Sequence, residues 1–282
     1  MTIALTRPVT GRLRFRRPRP GIIAAGTFLA LILLAVAVPD ALGGDPLAAD
    51  PLHVLQAPSA DHWFGTDQLG RDVFDRVVHG ARHSLAIGVA ATLIAVGAGI
   101  LLGLFAGLGH RYADEAFSRT FDALSAFPLV LLALLFIAIA GAGTASLVVA
   151  IGVALTPHYA RVVRAQTFVV RRAPYVTHAV AFGASRPRLV VRHVLPNVLG
   201  PLPVIAVIGL GEAVLIAAGL SFLGLGPQPP SPEWGAMLSE GRGYLHIAWW
   251  ASILPGLVVT GTIISLTVAG RHLQRRFEGR AA

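Results

Sequence analysis

Cysteine and lysine are both absent from this 282-residue sequence, and charged residues of any kind are scarce. Without cysteine the chain can form no disulfide, no thiolate metal site and no cysteine nucleophile. Charged residues make up 13% of the chain, against about 25% in an ordinary soluble domain. All 23 basic residues are arginines, and we attribute this bias to genome composition rather than to chemistry.

Apolar residues take the place of the missing charges, at 55% of the chain with a mean hydropathy of +0.69. A helix needs about 20 mostly apolar residues to cross a bilayer core about 30 Å thick. The 31 glycines suit close packing of such helices. The sequence therefore predicts an all-α polytopic membrane protein with six transmembrane helices. We place them at 21–38, 84–108, 118–140, 144–165, 198–220 and 248–270.

The first apolar run follows a basic arm, so a signal peptide is an alternative to a membrane span. Residues 1–20 hold six arginines and no acidic residue. The run at 21–38 is longer than a typical signal-peptide core, and the AVAVPDALGG that ends it is a weak cleavage signal. We favour a span. Residues 1–20 are then a cytoplasmic N-terminal arm, and 21–83 hold the first transmembrane helix and a long external connection.

The arginines are distributed unevenly between the two sides of the predicted membrane. With the N-terminus inside, the inner segments hold six arginines at 1–20, two at 109–119, seven at 161–192 and four at 271–280, which makes 19. The outer segments hold four. By the positive-inside rule both termini are cytoplasmic. The net charge of +9 therefore reflects membrane topology, and nucleic acid is not an expected partner. Residues 84–270 form a core of five helices, and 271–282 a cytoplasmic tail.

A short basic segment at 174–196 interrupts the apolar spans on the predicted cytoplasmic side. Pro174 suits the first turn of a helix over 175–182, and Gly183 is a natural C-terminal cap. Ser185 can cap a second short helix, which Pro196 is expected to stop. The sequence predicts two short helices joined at a glycine, a segment that we call the elbow.

The first arm of the elbow has apolar surface for a partner. An amphipathic helix lying in a groove of another protein is a recurring recognition mode. The alternative is an ordinary loop held on lipid headgroups by its arginines, and the residues alone leave both open. The apolar positions are Tyr175, Val176, Ala179, Val180 and Phe182.

The elbow resembles the EAA loop of importer-type ABC transporter permeases. That pattern is Glu-Ala-Ala, three residues, Gly, about nine residues, then Ile-x-Leu-Pro. Gly183 and the Val194-Leu195-Pro196 end match it, whereas Thr177-His178-Ala179 lacks the acidic residue. The resemblance implies that the elbow is the coupling helix, which contacts an ATPase subunit. The implied contact residues are Tyr175, Thr177, His178, Ala179, Phe182, Gly183, Ala184 and Ser185.

Two longer stretches resemble the dipeptide/oligopeptide/nickel permease family, in particular its C-type subunit. They are HWFGTDQLGRDVFDRVVHGARHSL at 62–85 and LSFLGLGPQPPSPEWGAMLSEGR at 220–242. The resemblance implies an importer-type ABC permease fold in the bacterial plasma (inner) membrane. It also implies a homologous second permease subunit, two ATPase subunits that bind ATP and Mg, and an extracytoplasmic substrate-binding protein. The cargo stays open among dipeptides, longer peptides, nickel complexes and other small solutes.

Sites of catalysis or cofactor binding are not expected in this chain. The sequence contains no GxxxxGK[ST] phosphate loop and no histidine spacing typical of a metal site. Asp67 and Asp72 could form a catalytic carboxylate pair, but we favour a turn capped by Thr66 and Asp67, with Arg71 paired locally. We therefore expect a transport subunit that is not an enzyme and holds no metal or cofactor of its own.

Glu212 is the one acidic residue well inside a predicted span. An ionised side chain at the bilayer centre costs about 2.5–3.5 kcal/mol on insertion scales, so we expect Glu212 to face the bundle interior or a water-filled path rather than lipid, or to be neutralised. It is a candidate for the translocation path, and a structural hydrogen bond between helices is the alternative. A secondary transporter driven by an ion gradient would want several such residues, and an intramembrane enzyme a nucleophile with its base.

Overall fold

The computed structural model describes residues 20–278, with side-chain environments up to Arg276. Most of the predicted N-terminal arm and the last four residues of the predicted tail lie outside the described residues. Within 20–278 the chain is helical and forms no strand beyond an isolated bridge between Thr66 and Asp72.

Twelve helices follow one another along the described chain. They are α1 (Pro20–Ala37), α2 (Pro39–Leu42), α3 (Val73–Leu108), α4 (Arg111–Ala126), α5 (Leu129–Ala140), α6 (Thr144–Arg171), α7 (Pro174–Ala181), α8 (Arg186–Leu189), α9 (Leu195–Leu199), α10 (Leu202–Phe222), α11 (Trp234–Gly241) and α12 (Trp250–Glu278). A π-turn at Val190–Val194 joins α8 to α9, and 3₁₀ turns lie at Pro51–His53 and Arg242–Tyr244.

Five of these helices are long and apolar enough to cross a membrane, namely α1, α3, α6, α10 and α12. The third predicted span, at 118–140, corresponds to the bent pair of α4 and α5, whose axes meet at 94°. The prediction of one helix over 118–140 is therefore wrong in shape. The break lies at Phe127, because the residue before a proline disfavours the helical conformation and Pro128 follows it.

Two spanning helices are longer than the sequence predicted. Helix α3 begins at Val73 rather than near 84, and α6 runs to Arg171 rather than ending near 165. Pro157 lies inside α6 without ending it. A proline removes one backbone hydrogen bond, and the helix continues on both sides of that gap.

Helices α3 and α6 pack closely in the middle of the bundle through glycines spaced four residues apart on α3. A Cβ at Gly103 would lie 2.5 Å from the carbonyl oxygen of Ala160, and one at Gly107 would lie 2.6 Å from Cβ of Thr167. Real Cβ atoms do not approach so closely, so only glycine fits. Small residues at such positions let helix backbones approach each other in membranes.

The connecting segments gather at the two ends of the bundle. We call one the elbow end, because it holds residues 172–201 together with the connection between α3 and α4. We call the other the loop end, because it holds the long connections at 38–72 and 223–249.

Candidate functional site

The first arm of the elbow ends in a hydrogen-bonded joint at Gly183. The Gly183 backbone N–H donates to the Val180 carbonyl (2.9 Å), and that of Ala184 donates to the Ala179 carbonyl (3.0 Å). Gly183 has φ +81°, so the pair of bonds forms a Schellman motif around a left-handed residue. The predicted helix–glycine joint is confirmed, and the two bonds fix the direction in which the chain leaves α7.

One side chain of α7 anchors the elbow to its own bundle. Val176 is only 2% exposed and belongs to a cluster of buried apolar residues from α6, the π-turn, α9 and α10. The prediction that Val176 contributes to the outward apolar face is therefore wrong. The other members of the cluster are Val163, Val170, Val194, Val198 and Leu202.

The three largest remaining apolar side chains of the first arm point away from the bundle. Phe182 is 90% exposed, and Tyr175 and Val180 are exposed as well. Such a fully displayed phenyl ring gains stability only when another surface covers it, because burial of apolar area is favourable. The predicted contact residues Thr177, His178, Gly183 and Ser185 are exposed, while Ala179 and Ala184 are half-buried.

The second arm of the elbow differs from the prediction. Ser185 occupies the N-cap position of α8, but its hydroxyl makes no capping hydrogen bond. Pro196 does not stop the arm, because it lies in the first turn of α9, where a missing N–H is harmless. The π-turn shifts the hydrogen-bond register, with the Leu195 N–H donating to the Val190 carbonyl. π-turns are frequent at functional sites.

Arginines of α6 fasten the neighbouring helices at the elbow end. Arg164 binds Asp114 of α4 through two bonds, from Nε at 2.5 Å and from Nη2 at 2.9 Å. Arg171 donates from Nη1 to the Gly107 carbonyl at the end of α3 (2.8 Å). Both guanidinium groups also lie over the ring of Phe168, at 4.7 and 4.5 Å. In the sequence these arginines indicated only the topology, and their role in holding α3, α4 and α6 together was not predicted.

At the loop end, four charged side chains form a buried network that neutralises itself. Asp67 Oδ2 lies 2.7 Å from Arg71 Nε and 2.6 Å from Arg76 Nη1. Glu240 Oε2 of α11 lies 2.7 Å from Arg71 Nη2 and 2.9 Å from Arg76 Nη1. The local Asp67–Arg71 pair agrees with the turn that we favoured, whereas Arg76 and Glu240 were missed. Their distance along the chain hides this contact from a single sequence.

The carboxylates of Asp67 and Asp72 do not form a catalytic pair. Asp67 is buried in the network just described, and its other oxygen accepts from the Leu69 N–H. Asp72 caps α3 by accepting from the N–H groups of Phe74 (2.7 Å) and Asp75 (3.2 Å). Each carboxylate therefore has its own structural role.

Indole and carboxylate groups attach α11 and α12 to the rest of the loop end. Glu233 caps α11 and also accepts from the Ser84 hydroxyl of α3 (3.1 Å). Trp234 Nε1 donates to the Val77 carbonyl (2.9 Å), and Trp250 Nε1 to the Thr66 carbonyl (3.1 Å). Residues 62–85 and 220–242, which carry the family resemblance, thus meet in one structural unit.

Glu212 lies midway along α10 and is exposed on the surface of this chain. Glu212 therefore does not face the interior of this chain's own bundle. Leu215, Gly219 and Leu223 are exposed on the same stripe of the helix. Within a membrane an exposed carboxylate is costly, so a second protein surface or a water-filled path has to cover this stripe.

One polar group of α6, the Tyr159 hydroxyl, lies near Glu212. The Tyr159 hydroxyl is buried, has no hydrogen-bond partner among the described residues, and is close enough to Glu212 for an electrostatic interaction. Its neighbour His158 is exposed in the middle of the same spanning helix. The sequence analysis overlooked His158, although its place inside the predicted fourth span was a usable signal.

Among residues 20–278, no group of three or more histidine or acidic side chains is arranged to hold a metal ion.

Comparison with known proteins identifies the family. Residues 99–279 match the model of the binding-protein-dependent transport system inner membrane component. The chain belongs to this family. It is accordingly a multi-pass inner membrane protein and a permease component of a transport system.

Relatives match over most of the chain. It is 38% identical over 261 residues to the dipeptide transport system permease protein DppC of Alkalihalophilus pseudofirmus, covering 93% of this chain and 86% of the relative. It is 42% identical over 220 residues to the di/tripeptide transport system permease protein DppC of Pseudomonas aeruginosa, covering 78% and 73%.

A solved structure has the same fold. The chain resembles a chain of the MetNI methionine ABC transporter in an inward-facing conformation, with a TM-score of 0.56 and 19% identity. The match covers 71% of this chain and 95% of that chain. The expected importer-type ABC permease fold is confirmed.

Proposed function

We propose that this chain is the membrane-spanning subunit of an ATP-driven importer of dipeptides and oligopeptides, in which it forms half of the translocation path. Permeases named for dipeptide and di/tripeptide transport, similar over most of this chain, support the choice of cargo class. The ion-gradient alternative has no such support, since the relatives are named for binding-protein-dependent and ABC systems.

The proposed assembly contains a homologous second permease subunit, two ATPase subunits and an extracytoplasmic substrate-binding protein. The family description names a binding-protein-dependent system. The sequence holds no phosphate-binding loop of the GxxxxGK[ST] form, so we assign ATP and Mg to the partner ATPase subunits. In this assembly the chain itself is a transport subunit without an ATPase site.

The proposed orientation puts the elbow end in the cytoplasm. The unequal division of 19 arginines to four supports it. Both termini are then cytoplasmic, with residues 1–20 as an arm and 271–282 as a tail. Residues 21–83 supply the first transmembrane helix and the external connection, and 84–270 the core permease domain.

The observation that carries the proposed mechanism is the construction of the elbow. Phe182 is displayed to a partner, while Val176 on the same helix is buried in the bundle. A rigid Schellman joint lies directly beside Phe182. A groove of an ATPase subunit that takes up Phe182 would therefore pull, through Val176, on α6 and α10. ATP binding closes the ATPase subunits, the elbows move with them, and the spans rock between the two access states.

Coupling also has an energetic condition. A ligand shifts an equilibrium between two states only by its difference in affinity for them. The ATPase subunits must therefore hold the elbow differently in the two access states. The lack of an acidic residue at Thr177 makes this contact depend on apolar packing and helix-end hydrogen bonds.

We assign Glu212 to the translocation path. Its exposure on this chain supports a position at the surface shared with the second permease subunit. The variant Glu212→Gln keeps the size of the side chain and removes the charge. We expect it to assemble normally and to change the transport rate.

One experiment tests the proposed function as a whole. The chain is purified with its partner subunits, reconstituted in vesicles, and assayed for ATP hydrolysis stimulated by a peptide-loaded binding protein. We expect stimulation and peptide uptake that both require this chain. Uptake driven by an ion gradient without ATP would contradict the proposal.

A further inference from the structure

A cavity of about 380 Å³ opens at the loop end between α2, α3 and the segment that precedes α11. One wall is basic, and the rest of the lining is apolar except for Asp40 and Ser231. Its lining includes Pro39, Leu47, Arg82, His83, Pro230 and Pro232.

Two basic side chains of this cavity are free to bind a ligand. Arg82 and His83 are exposed and make no hydrogen bond or ion pair within the described part of the chain. Their neighbour His79 is engaged, since its Nδ1 donates to the Asp75 carbonyl (2.9 Å) and its Nε2 faces Asp40 Oδ1 (3.2 Å). That contact also occupies Asp40, the acidic residue at the rim, and leaves the Arg82 side of the cavity positive.

With α1 and α3 spanning the membrane, the cavity falls near the level where lipid headgroups meet the apolar core. Arg82 and His83 directly precede the segment predicted to enter the membrane at 84. On the other side of the cavity, α1 ends at Ala37, just before Pro39. Charged side chains at the ends of spanning helices reach the headgroup region.

An apolar stripe continues from Arg82 down the outside of α3. Ala86, Val89 and Leu93 follow Arg82 at helical spacing, and all three are exposed, Leu93 to 67%. A free anion has no apolar part that could cover this stripe, whereas the acyl chain of a lipid would cover it.

We propose that the cavity binds one phospholipid. Its phosphate lies between Arg82 and His83, and an acyl chain lies along Ala86, Val89 and Leu93. The fork of an arginine matches two phosphate oxygens, and its charge strengthens both hydrogen bonds. A bound lipid would fill the gap between α2, α3 and the segment before α11.

The test is retention of phosphatidylglycerol by the purified importer complex, counted by native mass spectrometry after release from nanodiscs. The double variant Arg82→Gln/His83→Gln is compared with wild type and with Arg242→Gln. Arg242 is a matched control, because it is also an exposed arginine of the loop end, and it lies over the ring of Phe222 instead. We expect the double variant to bind phosphatidylglycerol about tenfold more weakly, as is typical for loss of a charge-assisted hydrogen bond. The control should bind like wild type.

Three results would overturn the proposal. The first is equal retention by all three proteins. The second is displacement of the lipid by equimolar inorganic phosphate, which would make this a site for free anions. The third is loss of the second permease subunit from the double variant without loss of lipid, which would make the surface a protein interface.

Discussion

The two ends of this bundle differ in how their charged and aromatic side chains are placed. At the loop end, charged side chains are buried and paired with each other, and indole groups donate to carbonyl oxygens. At the elbow end, the arginines lie nearer the surface and the most exposed aromatic ring, Phe182, has no cover. We infer that the paired charges make the loop end a scaffold, and that the uncovered ring of Phe182 is the contact which the elbow end offers to a partner.

The difference also shows in the backbone. At the loop end, α11 is attached at both of its ends, through Glu233 and Glu240. At the elbow end, α7 is attached through Val176, and the chain beyond it passes through a π-turn. We infer that the loop end stays rigid during transport and that the elbow end transmits motion.

The largest expected effect is the loss of the buried network. Arg76→Ala removes one of the two arginines that face Asp67 and Glu240, and leaves a buried charge uncompensated. Breaking a buried ion pair in this way costs about 3–5 kcal/mol. We expect a clearly lower thermal unfolding temperature of the purified complex in detergent. Arg242→Ala, at an exposed arginine of the same end, should unfold like wild type.

Unfolding of Arg76→Ala at the wild-type temperature would contradict the role of the loop end as a scaffold. The buried network would then not be what stabilises this end.

The second effect concerns the exposed ring of the elbow. Phe182→Ala should weaken binding of the ATPase subunits by about 2 kcal/mol, the size of an interface hot spot, while the chain itself stays folded. Tyr112→Ala is the matched control, because Tyr112 is a 79% exposed aromatic residue of the same end that lies outside the elbow. Co-purification with the ATPase subunits measures the difference, and equal binding by the two variants would contradict the docking role.

The third effect concerns Gly183, where we expect a substitution to change the stability of the chain little and the coupling of ATP hydrolysis to peptide uptake more. Gly183→Val has space for its side chain, but the residue must keep φ at +81°, which costs roughly 1–2 kcal/mol. We expect the joint to change and ATP hydrolysis to uncouple from peptide uptake, with normal membrane insertion. Gly243→Val at the loop end is the matched control, because its side chain would also have open space and the residue does not adopt a positive φ.

The ratio of uptake to hydrolysis in vesicles separates the two glycine variants. A wild-type ratio in Gly183→Val would mean that the angle of the joint does not matter.

The smallest effect is expected at Thr177, where the family pattern has an acidic residue. The Thr177 hydroxyl donates within its own helix, to the Ala173 carbonyl (3.1 Å), so Thr177→Ala removes no contact to the rest of the bundle. Uptake and co-purification should stay close to wild type. A loss as large as that of Phe182→Ala would show that Thr177 makes a specific polar contact with the ATPase.

Hydropathy and single special residues predicted most of the fold. Apolar length located the spans, because only long apolar helices satisfy the backbone inside a bilayer. Gly183 was recognisable because a left-handed residue after a short helix favours glycine. Pro128 was a signal for the break at Phe127. The bend was not predicted, because the apolar run continues through this position.

Contacts between distant segments could not be predicted from one sequence. Arg76 and Glu240 are 164 residues apart, and neither has a local pattern that identifies the other. The environment of Glu212 could not be predicted for a different reason. The cost of a charge in lipid argues against a lipid environment for this carboxylate, but it does not say whether the same chain or a second protein surrounds it.

One measurement tests the central claim, that the elbow end docks on the ATPase subunits. A photo-crosslinking amino acid replaces Phe182 in one version of the complex and Leu52 in another. Leu52 is a matched apolar residue of the loop end, exposed to 86%. We expect the probe at 182 to crosslink to an ATPase subunit and the probe at 52 to form no such product. Crosslinks from 182 to lipid alone, in an intact and active complex, would contradict the account.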